Sequence, residues 1–275
     1  MKEETQIIHL DFPVQPKWRD FSRSPHIQRL CWQYAQRWGD WQKVLEQAAA
    51  HKDNFLRIPL IGESADNPHW INDWLPALDG ILLYHFIATL KPKTYIEVGS
   101  GNSTKFARRA IRDHNLSTRI VSVDPCPRSD INAICDEVHR VGLEDLDLDV
   151  FTKLTADDIL FVDNSHRALP NSDVTVFFME IIGMLPKGIL YGIHDIFLPG
   201  DYPNEWALRF YNEQYLLAAY LFGGADGDQV VFPGGYVSMQ PDLIRILDVL
   251  WCHPALPGLA PYGGSFWLRK GSPIG

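Results

Sequence analysis

The stretch Tyr95–Thr104, reading YIEVGSGNST, restricts what this chain can fold into more than any other feature. Thr94 to Val98 is β-branched and aromatic, and it is bounded by Pro92-Lys93 before and Gly99 after, as for a short buried strand. Gly99 and Gly101 permit a sharp turn and leave bare backbone that a ligand can approach. Asn102 or Ser103 can cap a following helix over 104–112. A strand that passes into a helix through such a turn opens a nucleotide-binding α/β fold. Glu97 narrows the ligand. A carboxylate at the mouth of the turn would repel a pyrophosphate and suit an ammonium group, which points away from NAD and toward S-adenosylmethionine.

The same rhythm continues along the chain. Strands are expected at 119–123, 137–141, 158–162 and 189–193, with two more at 229–232 and 265–268. Helices are expected at 174–185 and 205–222, the latter amphipathic. Alternation of this kind predicts an α/β fold: a Rossmann-like seven-stranded, mostly parallel sheet with helices on both faces. Before it, residues 1–75 read as a helical N-terminal extension packed on a main domain at 76–275. Its helices fall near 27–38 and 41–51, and another helix near 75–90 leads into the first strand. Trp18, Trp32, Trp38, Trp41, Trp70 and Trp74 all lie in this part. They are expected to pack the extension down rather than to line a substrate site.

Charge and cysteine usage exclude several function classes. With 25 basic and 34 acidic residues the formal net charge is −9. That gives no basic footprint for nucleic acid or for an anionic membrane. No apolar run approaches a membrane span. Cys31, Cys126, Cys135 and Cys252 show no metal-ligand or redox spacing and read as reduced thiols. The opening MKEETQIIHLDF has no apolar core of the secretory kind. The expectation is a cytoplasmic protein acting on a small molecule or sugar, with a homodimer compatible with the sequence.

Polar residues fall at the carboxyl ends of the expected strands, where open α/β sheets bind ligands. Asp124 ends the second, placed to accept the two ribose hydroxyls of a nucleoside. Glu144, after the third, could face the adenine or lie in a solvated loop. Asp163 and His166 follow the fourth strand, and His194-Asp195 ends the fifth. Where these two strands are neighbours, as the resemblance given below implies, the four side chains can meet. Asp163, His194 and Asp195 then suit a divalent cation such as Mg²⁺ or Mn²⁺. A neutral His166 could take a proton from a substrate hydroxyl near pH 7. The same residues also read as a turn aspartate, a loop histidine and a buried, hydrogen-bonded core histidine.

The segment Glu97-Val98-Gly99-Ser100-Gly101 resembles the glycine-rich turn of class I S-adenosylmethionine-dependent methyltransferases, with Ser103 where a third glycine is usual. Leu160–His166 (LFVDNSH), Asp173, Leu185–Gly188 (LPKG) and Ile193-His194-Asp195 resemble methyltransferase family 24. That family is similar to metal-dependent sugar O-methyltransferases and to cephalosporin-hydroxylase-like proteins. The resemblance runs from about Trp74 to Asp195. It implies cofactor binding by Glu97, Gly99, Ser100, Gly101, Asn102, Ser103, Asp124 and Asp163, an aspartate on a metal and a histidine as base. The family's Asp-Gly-x-His has Asn164 in place of glycine here, and its later acidic pair is His194-Asp195. Two other readings remain open: a non-catalytic relative that binds S-adenosylmethionine, and an NAD-dependent oxidoreductase.

Overall fold

A computed structural model describes residues 7–62, 64, 66–128 and 130–271. The first six residues of the opening segment lie outside this range. The strands are β1 (Thr94–Val98), β2 (Arg119–Val123), β3 (Glu137–His139), β4 (Ile159–Val162), β5 (Leu190–Ile193), β6 (Gln229–Pro233) and β7 (Phe266–Arg269). They form one sheet in the order β3-β2-β1-β4-β5-β7-β6. β1 to β5 run parallel, and β7 is antiparallel to both neighbours. The expected seven-stranded, mostly parallel sheet with helices is therefore present.

The strand order reverses direction at β1, which pairs with β2 on one side and β4 on the other. That is the topological switch point, where the carboxyl ends of the strands leave a crevice. The ladder continues one residue past the strand ends. Gly99 N–H donates to the Val123 carbonyl (2.9 Å), Asp163 N–H to Val98 (2.7 Å) and His194 N–H to Val162 (2.9 Å). Gly99, Asp163 and His194 are thus aligned along one edge by backbone bonds alone.

The helix Ala77–Leu90 leads into β1. It is apolar all round, as a fully buried helix must be, and twelve consecutive residues of it, Ala77 to Ala88, are buried. Helices Pro25–Gln36 and Trp38–Ala49 bury one stripe each, through Ile27, Leu30 and Tyr34 and through Trp41, Leu45 and Ala48. Trp41 packs edge-on against Tyr34 and Tyr236, with ring centroids 5.3 and 5.7 Å apart. No helix among the described residues is long and apolar enough to cross a membrane.

Two expected elements are altered. β3 stops at His139 rather than running to residue 141. The helix expected over 205–222 is broken: a 3₁₀ turn at Asn204–Arg209 ends at Phe210, whose φ is 55°, and the α-helix restarts at Glu213–Phe222. Amphipathic spacing alone does not register that break.

Candidate active site

The glycine turn is held from both sides. Gly99 has φ 76°, and a Cβ there would lie 1.7 Å from the Asp163 carbonyl oxygen, so only glycine fits. Ser100 N–H donates to Asp124 Oδ2 (2.7 Å), and Cys126 N–H donates to Asp124 Oδ1 (2.7 Å). The end of β2 therefore fastens the turn. Gly101 is different: a Cβ there would meet nothing within 4 Å among the described residues. No contact among the described residues demands glycine at 101.

Glu97 does not face the mouth of the turn, where the sequence placed it. Its carboxylate is fully buried, accepting from the Tyr95 hydroxyl (2.8 Å) and from the Thr104 hydroxyl. Thr104 Oγ1 in turn accepts from Gly101 N–H (3.0 Å). Glu97 therefore braces the turn from beneath. Burial pushes its pKa up to about 7, against the hydrogen bonds from Ser103, Thr104 and Tyr95. Neither Asn102 nor Ser103 caps the helix Asn102–Asp113. The Asn102 amide instead donates to Asn72 Oδ1 (3.1 Å), tying the turn to the loop before helix Ala77–Leu90.

At the ends of β4 and β5 the four expected side chains do meet. Asp163 Oδ1 lies 3.2 Å from His166 Nε2 and 3.1 Å from His194 Nδ1. Asp195 stands slightly further off, 3.5 Å from His166 Nε2 and 3.6 Å from His194 Nδ1. Two carboxylates that the sequence reading missed complete the arrangement. Glu213 Oε2 lies 2.9 Å from His166 Nδ1, and Asp79 Oδ2 lies 3.2 Å from His194 Nε2. Both are buried. Glu213 is fixed by the Asn164 amide (2.9 Å), which gives the residue at the family's glycine position a use. Asp79 also accepts from Gly264 N–H, Ser265 N–H and the Ser265 hydroxyl. A lone carboxylate inside the apolar run ALDGILLYHFIATL was a readable sign of a buried partner. Glu213 carried no such sign, because the helix break that sets it under His166 is not legible in the spacing.

His166 and Asp195 both have left-handed backbone, φ 58° and 56°. Each such residue costs about 1–3 kcal/mol, and strain of this kind concentrates at functional sites. Burial alone would lower the His166 pKa. The hydrogen bonds to Asp163 and Glu213 and the charge of Asp195 override it and raise the pKa to about 10. Burial works against ionised Asp163, yet the charge of His194 and the bond from His166 hold its pKa well below the usual carboxylate range. Burial lifts Asp195. Both His166 ring nitrogens face carboxylates, an arrangement that favours its protonated form, whereas the role of base expected from its position needs the neutral ring.

Two clefts flank Asp163. One, about 240 Å³, lies over the glycine turn and the ends of β2 and β3, and includes Gly99, Ser100, Asp124, Leu143, Glu144 and Ser165. The other, about 370 Å³, has Asp163, His166, His194 and Asp195 as its floor. Trp70, Trp74, Trp206, Tyr211 and Tyr262 stand in its walls. Trp41 is buried in packing as expected, but Trp70 and Trp74 also border this cleft. Asp163 and Arg128 border both.

Residues 96–196 match the family model described as "Methyltransferase domain", that of methyltransferase family 24. The resemblance read from the sequence therefore holds from β1 to just past β5. No curated protein matches the chain. Among solved structures, the S-adenosylhomocysteine-bound Podospora anserina methyltransferase PaMTH1 is similar at 14% identity. It covers 95% of this chain and 100% of its own, with a TM-score of 0.44. The O-methyltransferase TomG from Streptomyces achromogenes, in complex with S-adenosylmethionine, is similar at 13% identity over 83% of this chain and 89% of its own, with a TM-score of 0.39.

Proposed function

We propose, taking residues 96–196 as a methyltransferase domain, that this chain moves a methyl group from S-adenosylmethionine to an oxygen of a small molecule or sugar. One observation carries the reading: the cleft over the glycine turn and the ring-walled cleft meet at Asp163, at the switch point of the sheet. A donor in the first and an acceptor in the second would touch there. The first cleft fits a nucleoside. Asp124, half-exposed at the end of β2, borders it together with Gly99 and Ser100. S-adenosylmethionine, when bound, supplies an already activated methyl group.

The chain's own tasks are then alignment and proton removal. Gly99, Ser100 and Gly101 offer bare backbone for close approach, and Asp124 would take the ribose hydroxyls. The ring-bearing walls would exclude water from the acceptor. Asp195, raised by burial and bordering the acceptor cleft, is the carboxylate best placed to receive the hydroxyl proton. His166 and His194 would hold Asp163 in place, each fixed at its far nitrogen by Glu213 or Asp79.

The floor also fits a divalent cation. Donor atoms of Asp163, His166 and His194 all lie within 4.8 Å of one another. A carboxylate on each far ring nitrogen is the usual support of metal-binding histidines. In that state His166 Nε2 and His194 Nδ1 would carry the ion in place of their protons, since ligation needs neutral imidazoles, and Asp163 and Asp195 would complete its set; two imidazoles favour Mn²⁺ or a softer ion over Mg²⁺. It would supply Lewis acidity toward the acceptor oxygen.

The test is calorimetry of the purified protein with S-adenosylhomocysteine and with NAD. Binding of the first in the micromolar range, with none of the second, is the expected result. The reverse preference contradicts the proposal.

A further inference from the structure

The walls of the ring-lined cleft carry charge as well as aromatic surface. Arg209 lies over the Trp206 ring, its guanidinium carbon 4.0 Å from the ring centroid and 5.6 Å from that of Tyr211. Arg128 lies on Trp74 in the same way, at 4.2 Å. Six arginines elsewhere, Arg37, Arg108, Arg109, Arg112, Arg119 and Arg245, meet carboxylates, and Arg29, Arg140, Arg167 and Arg269 donate to backbone carbonyls. Among the described residues, neither Arg128 nor Arg209 meets a carboxylate, although Asp73, Asp163 and Asp195 border the same cleft. The floor carboxylates face the two histidines instead. Stacking on a tryptophan fixes the plane of a guanidinium while its N–H donors stay available at the edge. A planar donor fork of that kind matches a carboxylate or a phosphate. Arg128 also borders the cleft over the glycine turn, whereas Arg209 borders the acceptor side.

We infer that the acceptor is a hydroxylated anion, its carboxylate or phosphate gripped by Arg209 at the cleft wall while its hydroxyl reaches the Asp163–Asp195 floor. The inference rests on the methyltransferase reading and adds the charge of the substrate to it. The surroundings support the match. In a chain of net charge −9 the long-range field repels anions, so a local guanidinium is needed for an anion to settle. The rings of Trp70, Trp74 and Trp206 would receive its apolar body.

The experiment uses the full chain saturated with S-adenosylhomocysteine and measures binding of matched pairs by calorimetry. One pair is dihydroxybenzoate and dihydroxybenzamide; the other is glucose phosphate and glucose. One anion is expected to bind about 10- to 100-fold more tightly than its neutral twin, as a charge-assisted bidentate contact allows. Which pair shows the preference tells carboxylate from phosphate. Arg209→Gln should bring the anion down to the level of its twin with S-adenosylhomocysteine affinity unchanged, and Arg209→Lys should keep part of the preference. Equal binding within both pairs, no binding of either anion, or a preference that survives Arg209→Gln overturns the inference. S-adenosylhomocysteine binding on the same sample separates the two claims: its absence removes the methyltransferase reading, and its presence without an anion preference removes only this one.

Discussion

Gly99 and Gly101 stand two residues apart in one turn and answer to different constraints. Gly99 is required by the protein, since a side chain would run into the Asp163 backbone. Gly99→Ala should therefore destabilise the fold, by about 1–3 kcal/mol or more from strain alone. A lowered melting temperature checks this, and an unchanged one would mean the turn has another conformation. On the proposed reading Gly101→Val, whose Cβ meets no described residue, should leave the melting temperature close to wild type and abolish S-adenosylhomocysteine binding by filling space the cofactor would use. Undiminished affinity would show that nothing binds there. At the floor, Asp195→Asn should lower turnover by about 10²–10⁴-fold, the usual worth of a positioned base, with cofactor affinity retained. Measured on an acceptor that supports turnover, a wild-type rate would move the proton to another residue.

At the scale of elements, β5 packs by omission. Gly192 sits between Phe161 of β4 and Trp267 of β7, whose rings stack at 5.3 Å between centroids. A Cβ at 192 would come within 2.8 Å of Trp267 and 2.9 Å of Phe161. Gly192→Ala should cost about 1–3 kcal/mol as overpacking, read as a drop in the midpoint of urea unfolding; no drop would mean the rings yield freely. β1, β2, β4 and β5 were legible because each is a short, largely apolar run ended by polar or turn residues. The break at Phe210 was not, since residues on both sides keep helical spacing while one left-handed residue redirects the chain. That one φ value brings Arg209, Tyr211 and Glu213 to the site, three residues that spacing alone could not place there. Asp163, His166, His194 and Asp195 were legible as neighbours because the resembled methyltransferase topology sets the fourth strand beside the fifth, as β4 and β5 are here. Their protonation was not, because it depends on Asp79 and Glu213, which come from distant parts of the chain.

For the whole molecule, a braced turn at the switch point ties stability to the site. Glu97 has its folded pKa raised to about 7 from an ordinary 4.5. A raised acid binds its proton more tightly when folded. Its stabilising contribution is complete below about pH 4.5, is lost as pH rises toward 7, and stays lost above that. The full loss is about 3 kcal/mol as an upper value. The difference in melting temperature between wild type and Glu97→Gln should therefore shift in favour of the variant between pH 4.5 and 7 and level off above. A difference that stays constant with pH would mean that Glu97 keeps an ordinary pKa. The central claim is that donor and acceptor meet at Asp163, in the crevice between β1 and β4. A crystal structure of the protein with S-adenosylhomocysteine tests it most directly. The expected density places the ribose at Asp124, the adenine toward Leu143 and Glu144, and the sulfur beside Asp163, facing the ring-walled cleft. Density elsewhere on the protein, or the sulfur turned away from Asp163, would contradict it.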